Sequence, residues 1–260
     1  MDFEKKYLKY KTKYLNLKSN SMVGGAKRKI KRVAGNNGKL FIIGIAGASG
    51  CGKTYLANKL KKALMSSGVN DVQILSCDNY YIPSQGPGRH PEGYNFDLPE
   101  TINLDGVGKD LERLKNKEEI KVPKYDFEKS KVVGISNIID GSKVNVLIVE
   151  GLYTLYNEKI RNNLDLKIFT ILDPELCLAR RLLRDVSERN TSFQDTLKLY
   201  ENQVKPAYMA YAEPTKKFAD MMVSTDKAEM ETTISIIETY VLDKLNIKKK
   251  REESSDNDSE

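Results

Sequence analysis

Residues 47–54 of the chain, GASGCGKT, have the residue types and the spacing that phosphate binding requires. They match the pattern G-x-x-x-x-G-K-[ST], whose glycines let the backbone wrap closely round an anion with its N–H groups pointing inward. Lys53 supplies a cation for the β- and γ-phosphates, and the Thr54 hydroxyl is placed to bind Mg²⁺. The residues predicted to contact a nucleoside triphosphate are Gly47, Ala48, Ser49, Gly50, Cys51, Gly52, Lys53 and Thr54.

The flanking sequence favours this interpretation over a glycine-rich turn without a ligand. Residues 40–46 form an apolar run typical of a buried strand, and the helical pattern after the loop ends at Gly68. A helix that begins at the end of the loop adds positive potential where phosphates would bind. The strand, the loop and the helix together predict that the chain binds a nucleoside triphosphate.

Two acidic residues follow other predicted strands. Asp78 comes after the strand 72–76, and Glu150 comes directly after the strand 144–149. Ligands of open α/β sheets bind at the carboxyl ends of the strands, so both carboxylates are expected near the phosphate loop. Asp78 is placed to accept a proton from an attacking hydroxyl or to hold Mg²⁺ through water, and Glu150 to bind the same ion. The alternatives are that Asp78 caps a turn and that Glu150 is simply solvated.

The segment LARRLLRDVSERN contains four arginines on a predicted helix. Arg180 and Arg184 are spaced i,i+4 and share one face of the helix. Arginines stabilise the charge that develops on a transferred phosphoryl group. On spacing alone, however, a solvated helix face with Asp185 and Glu188 as ion-pair partners is the more ordinary interpretation.

Helical patterns separate most of the predicted strands, which indicates an α/β fold with a doubly wound parallel sheet of five strands. The strands are predicted at residues 40–46, 72–76, 144–149, 166–172 and 220–224. Residues 119–140 differ, since two β-like runs flank a polar turn at residues 128–131. This segment predicts an antiparallel hairpin that stands off the main sheet.

The net charge of +7 is unevenly distributed along the 260 residues. Residues 1–39 hold twelve Lys and Arg but only two Asp and Glu. The positive net charge therefore does not indicate that the folded part of the chain binds nucleic acid.

The three cysteines lack the spacing of metal ligands, and no secretory signal is visible, so we expect free thiols in the cytoplasm. No apolar run approaches the roughly 18 residues of a membrane span.

The two ends of the chain have compositions unlike the centre. In the arm, residues 1–38, Phe3, Tyr7, Tyr10, Tyr14 and Leu17 form an apolar stripe on a lysine-rich helical pattern that continues into a basic linker. Such a segment suits a partner helix, an anionic membrane surface or a nucleic acid. Residues 247–260 are too polar to form a core and are predicted to be disordered.

The central region resembles the uridine–cytidine kinase family over residues 40–225. The phosphate loop is generic, but NFDLP, YDF and PTKKFAD together are specific, and CDNYY, IVEGLYTLY, RRLLRDVSER and VKPAY occur in the family's order. The resemblance implies a P-loop kinase domain at residues 39–246 that transfers phosphate from ATP to the 5′-hydroxyl of uridine or cytidine. It also implies Mg²⁺, a hairpin over the nucleoside site and a homo-oligomer, often a tetramer in relatives.

The resemblance also implies roles for single residues. Asp78 would be the base for the 5′-hydroxyl, and Asp97 with Arg181 would bind the ribose. The aromatic rings of the substrate site would be Tyr81, Phe96 and Tyr125. Arg184 and Arg189 would lie near the triphosphate. The Mg²⁺ ligands would be Thr54, Glu150 and Asp78.

The departures from the family pattern concern the base of the nucleoside. Ser130 stands where the family usually has His, Thr191 where it has Arg, and Leu199 where it has Gln. Recognition of phosphate and ribose is therefore expected to be intact, while selection of the base is altered. His90 is a candidate replacement, although a surface loop is its more ordinary setting.

Other interpretations remain open on sequence grounds. One is a kinase of the same fold with another ribosyl or sugar-phosphate acceptor, and another is an inactive relative that serves as a binding or packaged structural protein. A regulatory GTPase is disfavoured because no N-K-x-D motif is present.

The arm resembles lysine- and tyrosine-rich segments of giant DNA virus proteins. Within it, VGGA at residues 23–26 resembles a maturation site that is cleaved after Gly25. The alternative is an ordinary linker.

Overall fold

A computed structural model describes residues 39–83, 94–189 and 191–247 of the chain. The predicted arm with its Gly25 site, the loop that contains His90, and residues 248–260 of the predicted tail lie outside the described residues. Among the residues that the structure describes, no helix combines the length and the apolar character needed to cross a membrane.

The core of the fold is a sheet of five parallel strands in the order β2-β5-β1-β6-β7. The strands are β1 (Phe41–Gly47), β2 (Val72–Ser76), β5 (Val146–Glu150), β6 (Leu166–Ile171) and β7 (Met221–Ser224). The central strand β1 is buried on both faces, which explains its continuous apolar sequence. The predicted strands and the doubly wound parallel sheet are confirmed.

Helices cover both faces of the sheet and form two apolar clusters. On one face, α1 (Lys53–Ser66) and α7 (Lys227–Lys244) pack together. On the other lies α2 (Leu104–Lys115), whose buried Val107, Leu111 and Leu114 recur at helical spacing. Fully burying one such side chain contributes about 1.5–3 kcal/mol, so these stripes orient the helices on the sheet.

The predicted hairpin is present as β3 (Glu119–Asp126) and β4 (Lys131–Asp140), an antiparallel pair outside the main sheet. Its register shifts at Val122/Pro123 and again at Lys124/Tyr125. Proline has no N–H to donate to a partner strand, so a proline within a strand is expected where the pairing is irregular, as at Pro123. Tyr125, which follows the second register shift in β3, is buried, whereas β4 is mostly exposed.

The region between β5 and β7 carries, besides β6, the helices α3 (Glu158–Asn163), α4 (Pro174–Glu188), α5 (Phe193–Leu199) and α6 (Lys205–Ala207). A π-helical turn, Tyr200–Val204, joins α5 to α6, and a second one, Tyr208–Ala212, follows. Pro206 has no N–H for the regular helical hydrogen bond, which is a physical reason for irregular turns here. Turns of this kind are often found at functional sites, and Gln203 of the first one lines a cavity at the carboxyl edge of the sheet.

Candidate active site

One cavity of about 780 Å³ opens at the carboxyl ends of β1, β2 and β5. The hairpin and the helices α4 and α5 also contribute to its wall. Most of the site residues predicted from the sequence line this single cavity: Ser49, Gly50, Gly52, Lys53, Thr54, Asp78, Tyr81, Phe96, Asp97, Tyr125, Glu150, Arg181, Arg184 and Arg189. Gly47, Ala48 and Cys51 belong to the same loop but are not among the lining residues.

The phosphate loop depends on glycine at two positions where a side chain would not fit. Gly47 has φ +144°, and a Cβ there would lie 2.1 Å from the Thr170 hydroxyl oxygen. Gly50 has φ +79°, and its Cβ would lie 2.2 Å from the Cys177 carbonyl oxygen. Lys53 extends back over the loop, where its Nζ donates to the carbonyls of Gly47 at 3.1 Å and Ala48 at 2.9 Å.

Cys51 contributes its backbone to the loop while its side chain faces the sheet. The thiol is fully buried, with Sγ 2.8 Å from Thr170 Oγ1. Thr170 in turn donates to the Ala46 carbonyl of β1 at 3.0 Å. The thiol therefore anchors the loop to β6 and does not reach the cavity.

A buried carboxylate lies beside the loop. Parallel pairing of β2 with β5 places Ser76 opposite Glu150, and the Ser76 hydroxyl donates to Glu150 Oε1 at 2.7 Å. Burial raises the pKa of Glu150, and the negative charge of Asp78 raises it further, while Lys53 and hydroxyl donors oppose the shift. Two carboxylates that share such a site favour the arrival of a cation.

The donor set suits a hard divalent cation. Glu150 and Asp78 offer carboxylate oxygens, and Thr54 offers a hydroxyl that also reaches Glu150. Oxygen ligands of this kind, completed by water and substrate phosphates, are what Mg²⁺ prefers. In the described part of the chain, no three His, Cys, Asp or Glu side chains cluster in a way that could hold a metal ion.

The opposite end of the cavity is aromatic. The Tyr81 ring centroid lies 5.4 Å from that of Tyr125, 5.4 Å from that of Phe127 and 6.4 Å from that of Phe96. The rings are tilted against one another, with 55° between Tyr81 and Phe96, so they form the walls of a pocket and not a parallel stack. Phe127 was not predicted as a site residue, although it is the last residue of the YDF motif.

Asp97 and Arg181 meet at the boundary between the two ends of the cavity. Arg181 Nη1 lies 3.5 Å from Asp97 Oδ1 and donates to the Ser49 hydroxyl of the phosphate loop at 3.0 Å. Both side chains are largely buried, 10% and 14% exposed respectively. The Asp97 carbonyl accepts a hydrogen bond from the Tyr153 hydroxyl, which holds the backbone of this loop in place. The pair suggested by the resemblance is therefore brought together.

Asp185 is buried among three arginines. Its carboxylate oxygens lie 2.8 Å from Arg184, 3.3 Å from Arg181 and 3.5 Å from Arg189, and only 7% of the side chain is exposed. Burial would raise the pKa of Asp185, but the three guanidinium groups hold it below the usual range. Asp185 is thus the ion-pair partner that the alternative interpretation named, but it is not on a solvated face.

The residues at the altered base positions also line the cavity. They are Ser130, Thr191 and Leu199, and the cavity wall beside them includes Thr196 and Gln203. The Thr191 hydroxyl donates to the Asp185 carbonyl at 2.6 Å, so it is engaged with the backbone. Among the described residues that line the cavity, Gln203 is the one with a side-chain amide, and it lies on the first π-helical turn.

Comparison with known proteins agrees with this geometry. The sequence matches the phosphoribulokinase/uridine kinase family over residues 42–231. It is similar to a uridine kinase from Ureaplasma urealyticum, at 35% identity over 70% of this chain and 87% of the relative. It is also similar to uridine-cytidine kinase B from Dictyostelium discoideum, at 32% identity over 80% of this chain and 84% of the relative.

A solved structure has a fold similar to that of this chain. A possible uridine kinase from Bacillus stearothermophilus has a TM-score of 0.53 to this chain at 17% identity, covering 83% of this chain and 98% of that one. The sheet order, the phosphate loop and the relatives lead to one assignment. The chain belongs to the phosphoribulokinase/uridine kinase family.

Proposed function

We propose that the chain transfers the γ-phosphoryl group of ATP to the 5′-hydroxyl of uridine or cytidine. The observation that carries the proposal is the single cavity that joins a phosphate loop to an aromatic pocket, with Asp78 and the Asp97–Arg181 pair among its lining residues. The names of the relatives, uridine kinase and uridine-cytidine kinase, support this choice of substrate.

The nucleoside is held by its sugar and by its base. The Asp97 carboxylate accepts hydrogen bonds from the ribose hydroxyls, and the Arg181 guanidinium keeps that carboxylate oriented. The flat base packs against the rings of Tyr81, Phe96 and Tyr125. This arrangement directs the 5′-hydroxyl toward the phosphate loop.

Asp78 acts as the general base. It accepts the proton of the 5′-hydroxyl as that oxygen forms a bond to the γ-phosphorus, and the bond to the β–γ bridging oxygen breaks. The products are a nucleoside 5′-monophosphate and ADP. Lys53 and Arg184 stabilise negative charge on the phosphate oxygens. Arg189 is proposed for the same role, although its guanidinium group lies over the Phe127 ring at the nucleoside end in this structure.

Mg²⁺ would be held by Thr54, Glu150 and Asp78 together with the phosphates, and it supplies charge neutralisation to the triphosphate. The chain's own residues exclude water from the nucleoside end, where Tyr125 and Phe127 of the hairpin segment form the wall. Exclusion of water favours transfer to the nucleoside over hydrolysis of ATP.

A kinase assay with ATP, Mg²⁺ and a panel of ribonucleosides and sugar phosphates tests the proposal. The expected result is production of UMP and CMP, and the Lys53→Ala variant should give neither. Transfer only to another ribosyl or sugar-phosphate acceptor would replace this function by the same-fold alternative. Absence of transfer to every acceptor, with ATP still bound, would favour an inactive binding or structural protein.

The remaining parts of the proposal concern assembly and location. We propose a homo-oligomer, to be measured by light scattering, and a cytoplasmic location, which the three free buried cysteines suit. We also propose that the arm binds an anionic surface or a partner, or serves for targeting or packaging in a giant DNA virus, and that it is removed after Gly25. An N-terminus at Ala26 in protein from the natural source supports processing, and an intact N-terminus in all of the material contradicts it.

A further inference from the structure

We propose that Asp185 is a positioning residue that couples the two substrate sites by holding Arg181 in place. The inference rests on the proposed function, because it concerns how the ATP and nucleoside ends of the same cavity influence each other. It goes beyond that function in giving a role to Asp185, a largely buried residue of the cavity wall to which the proposed function assigns no contact with substrate.

The first step in the argument is the position of Arg181. Its Nη1 contacts Ser49, in the phosphate loop, and Asp97, in the nucleoside end. A guanidinium group is rigid and planar, so a displacement of one contact changes the geometry of the other. Arg181 is therefore a direct physical link between the two substrate sites.

The second step is what holds Arg181. Asp185 lies one helical turn further along α4, and its Oδ2 is 3.3 Å from Arg181 Nε. The same carboxylate lies 2.8 Å from Arg184 Nη2 and 3.5 Å from Arg189 Nη1. One buried negative charge thus offsets the repulsion among three neighbouring cations, and without it the three side chains would separate.

The third step is that Asp185 also supports the wall of the nucleoside end. Its backbone carbonyl accepts hydrogen bonds from the Thr191 hydroxyl at 2.6 Å and from the Thr191 N–H at 3.1 Å. Arg189, held by the same carboxylate, stacks on the Phe127 ring at 4.5 Å. Asp185 therefore organises contacts on both sides of the link and needs no contact with substrate to do so.

The test is isothermal titration calorimetry of the full chain with uridine, alone and with saturating Mg²⁺ and a non-hydrolysable ATP analogue. Coupling is the ratio of the two uridine dissociation constants, and coupling between sites is typically about 5- to 150-fold. The wild-type protein should bind uridine more tightly when the analogue is present. Asp185→Asn preserves the size of the side chain but removes its charge, and it should bring the ratio close to one.

Three further variants separate positioning from folding. Asp185→Glu restores the charge and should recover part of the coupling. Glu175→Gln removes an exposed charge from the same helix and should match the wild type. Should Asp185→Asn fail to fold, Ser49→Ala tests the same link from the phosphate loop, and it too should lower the ratio.

The outcomes distinguish this inference from the proposed function. A wild-type protein that phosphorylates uridine but shows no coupling overturns the inference alone, as does a folded Asp185→Asn variant with unchanged coupling and kcat. A wild-type protein that binds no nucleoside overturns the proposed function itself. Loss of coupling in Asp185→Asn, with a full number of binding sites by calorimetry, supports the inference.

Discussion

The two ends of the cavity are built in different ways. The phosphate end comes from one continuous stretch, residues 47–54, in which backbone N–H groups and the glycine conformations matter more than the side chains. The nucleoside end comes from separate segments that contribute Tyr81, Phe96, Asp97, the hairpin and the helix α4. Backbone recognition of phosphate is common to many proteins, whereas recognition of a nucleoside depends on side chains that distant segments bring together.

This difference predicts how each end responds to substitution. At the phosphate end, changes should affect ATP and every acceptor alike. At the nucleoside end, changes should affect acceptors selectively and leave ATP binding intact. The reacting hydroxyl lies between the two ends, so the largest effect is expected there.

Replacement of Asp78 by Asn should lower the rate of transfer by about 10²–10⁴-fold, because a general base typically contributes this much. The variant should still bind ATP, since the phosphate loop is unchanged. Single-turnover kinetics with uridine measures the transfer, and nucleotide titration measures binding. An undiminished transfer rate would mean that Asp78 has a structural role only.

Replacement of Asp97 by Ala should lower kcat/KM for every ribonucleoside by about 10- to 100-fold, since a hydrogen bond to a charged group contributes about 1.5–3 kcal/mol. The matched control is the substrate 2′-deoxyuridine. The wild-type protein should discriminate against it, and the variant should not. An equal loss of ATP binding and of nucleoside use in the variant would contradict the prediction that the two ends of the cavity respond separately.

Replacement of Gln203 by Ala should raise KM for uridine and cytidine by about 2- to 10-fold, the effect of one neutral hydrogen bond. We expect weak selection among bases in the wild type, because Ser130, Thr191 and Leu199 offer few polar contacts. Asn202→Ala, which removes an exposed amide from the neighbouring position, is the control and should leave KM unchanged. An unchanged KM in Gln203→Ala would assign reading of the base to another residue, such as His90.

Replacement of Glu150 by Gln should stabilise the protein without ligands and impair transfer. The neutral side chain keeps a hydrogen bond to Ser76 and removes a buried charge next to Asp78. We expect the thermal midpoint at pH 7 to rise by about 2–4 °C, the shift that about 1 kcal/mol gives a domain of this size. A lower midpoint, measured by circular dichroism without Mg²⁺ or ATP, would contradict this account of the buried Glu150 carboxylate.

Removal of residues 1–38 should have the smallest effect, with kcat and KM for both substrates unchanged. The polar linker offers little apolar surface to pack against the kinase domain. The assay is the same nucleoside panel on the full and shortened chains. A loss of activity would show that the arm contributes to one end of the cavity.

The strands, the phosphate loop and the hairpin were predictable because each has a local pattern. Buried parallel strands have continuous apolar sequences, and the loop has glycines at fixed positions before Lys53 and Thr54. Phe127 and Asp185 were not predicted as parts of the site. The helical spacing shows which arginines share a face with Asp185, but it does not show that this face is covered by the rest of the fold.

Local sequence was thus sufficient for the elements and for the phosphate end, because hydrophobic periodicity and glycine conformations act within a few residues of each other. Residues of the nucleoside end were predicted only through the resemblance to a known family, and the contacts among them required the folded chain. Arg181 contacts Ser49 and Asp97 across 132 and 84 residues of sequence, and no periodicity spans such distances. Those contacts arise because the parallel sheet brings the carboxyl ends of its strands to one edge, where side chains from distant segments meet.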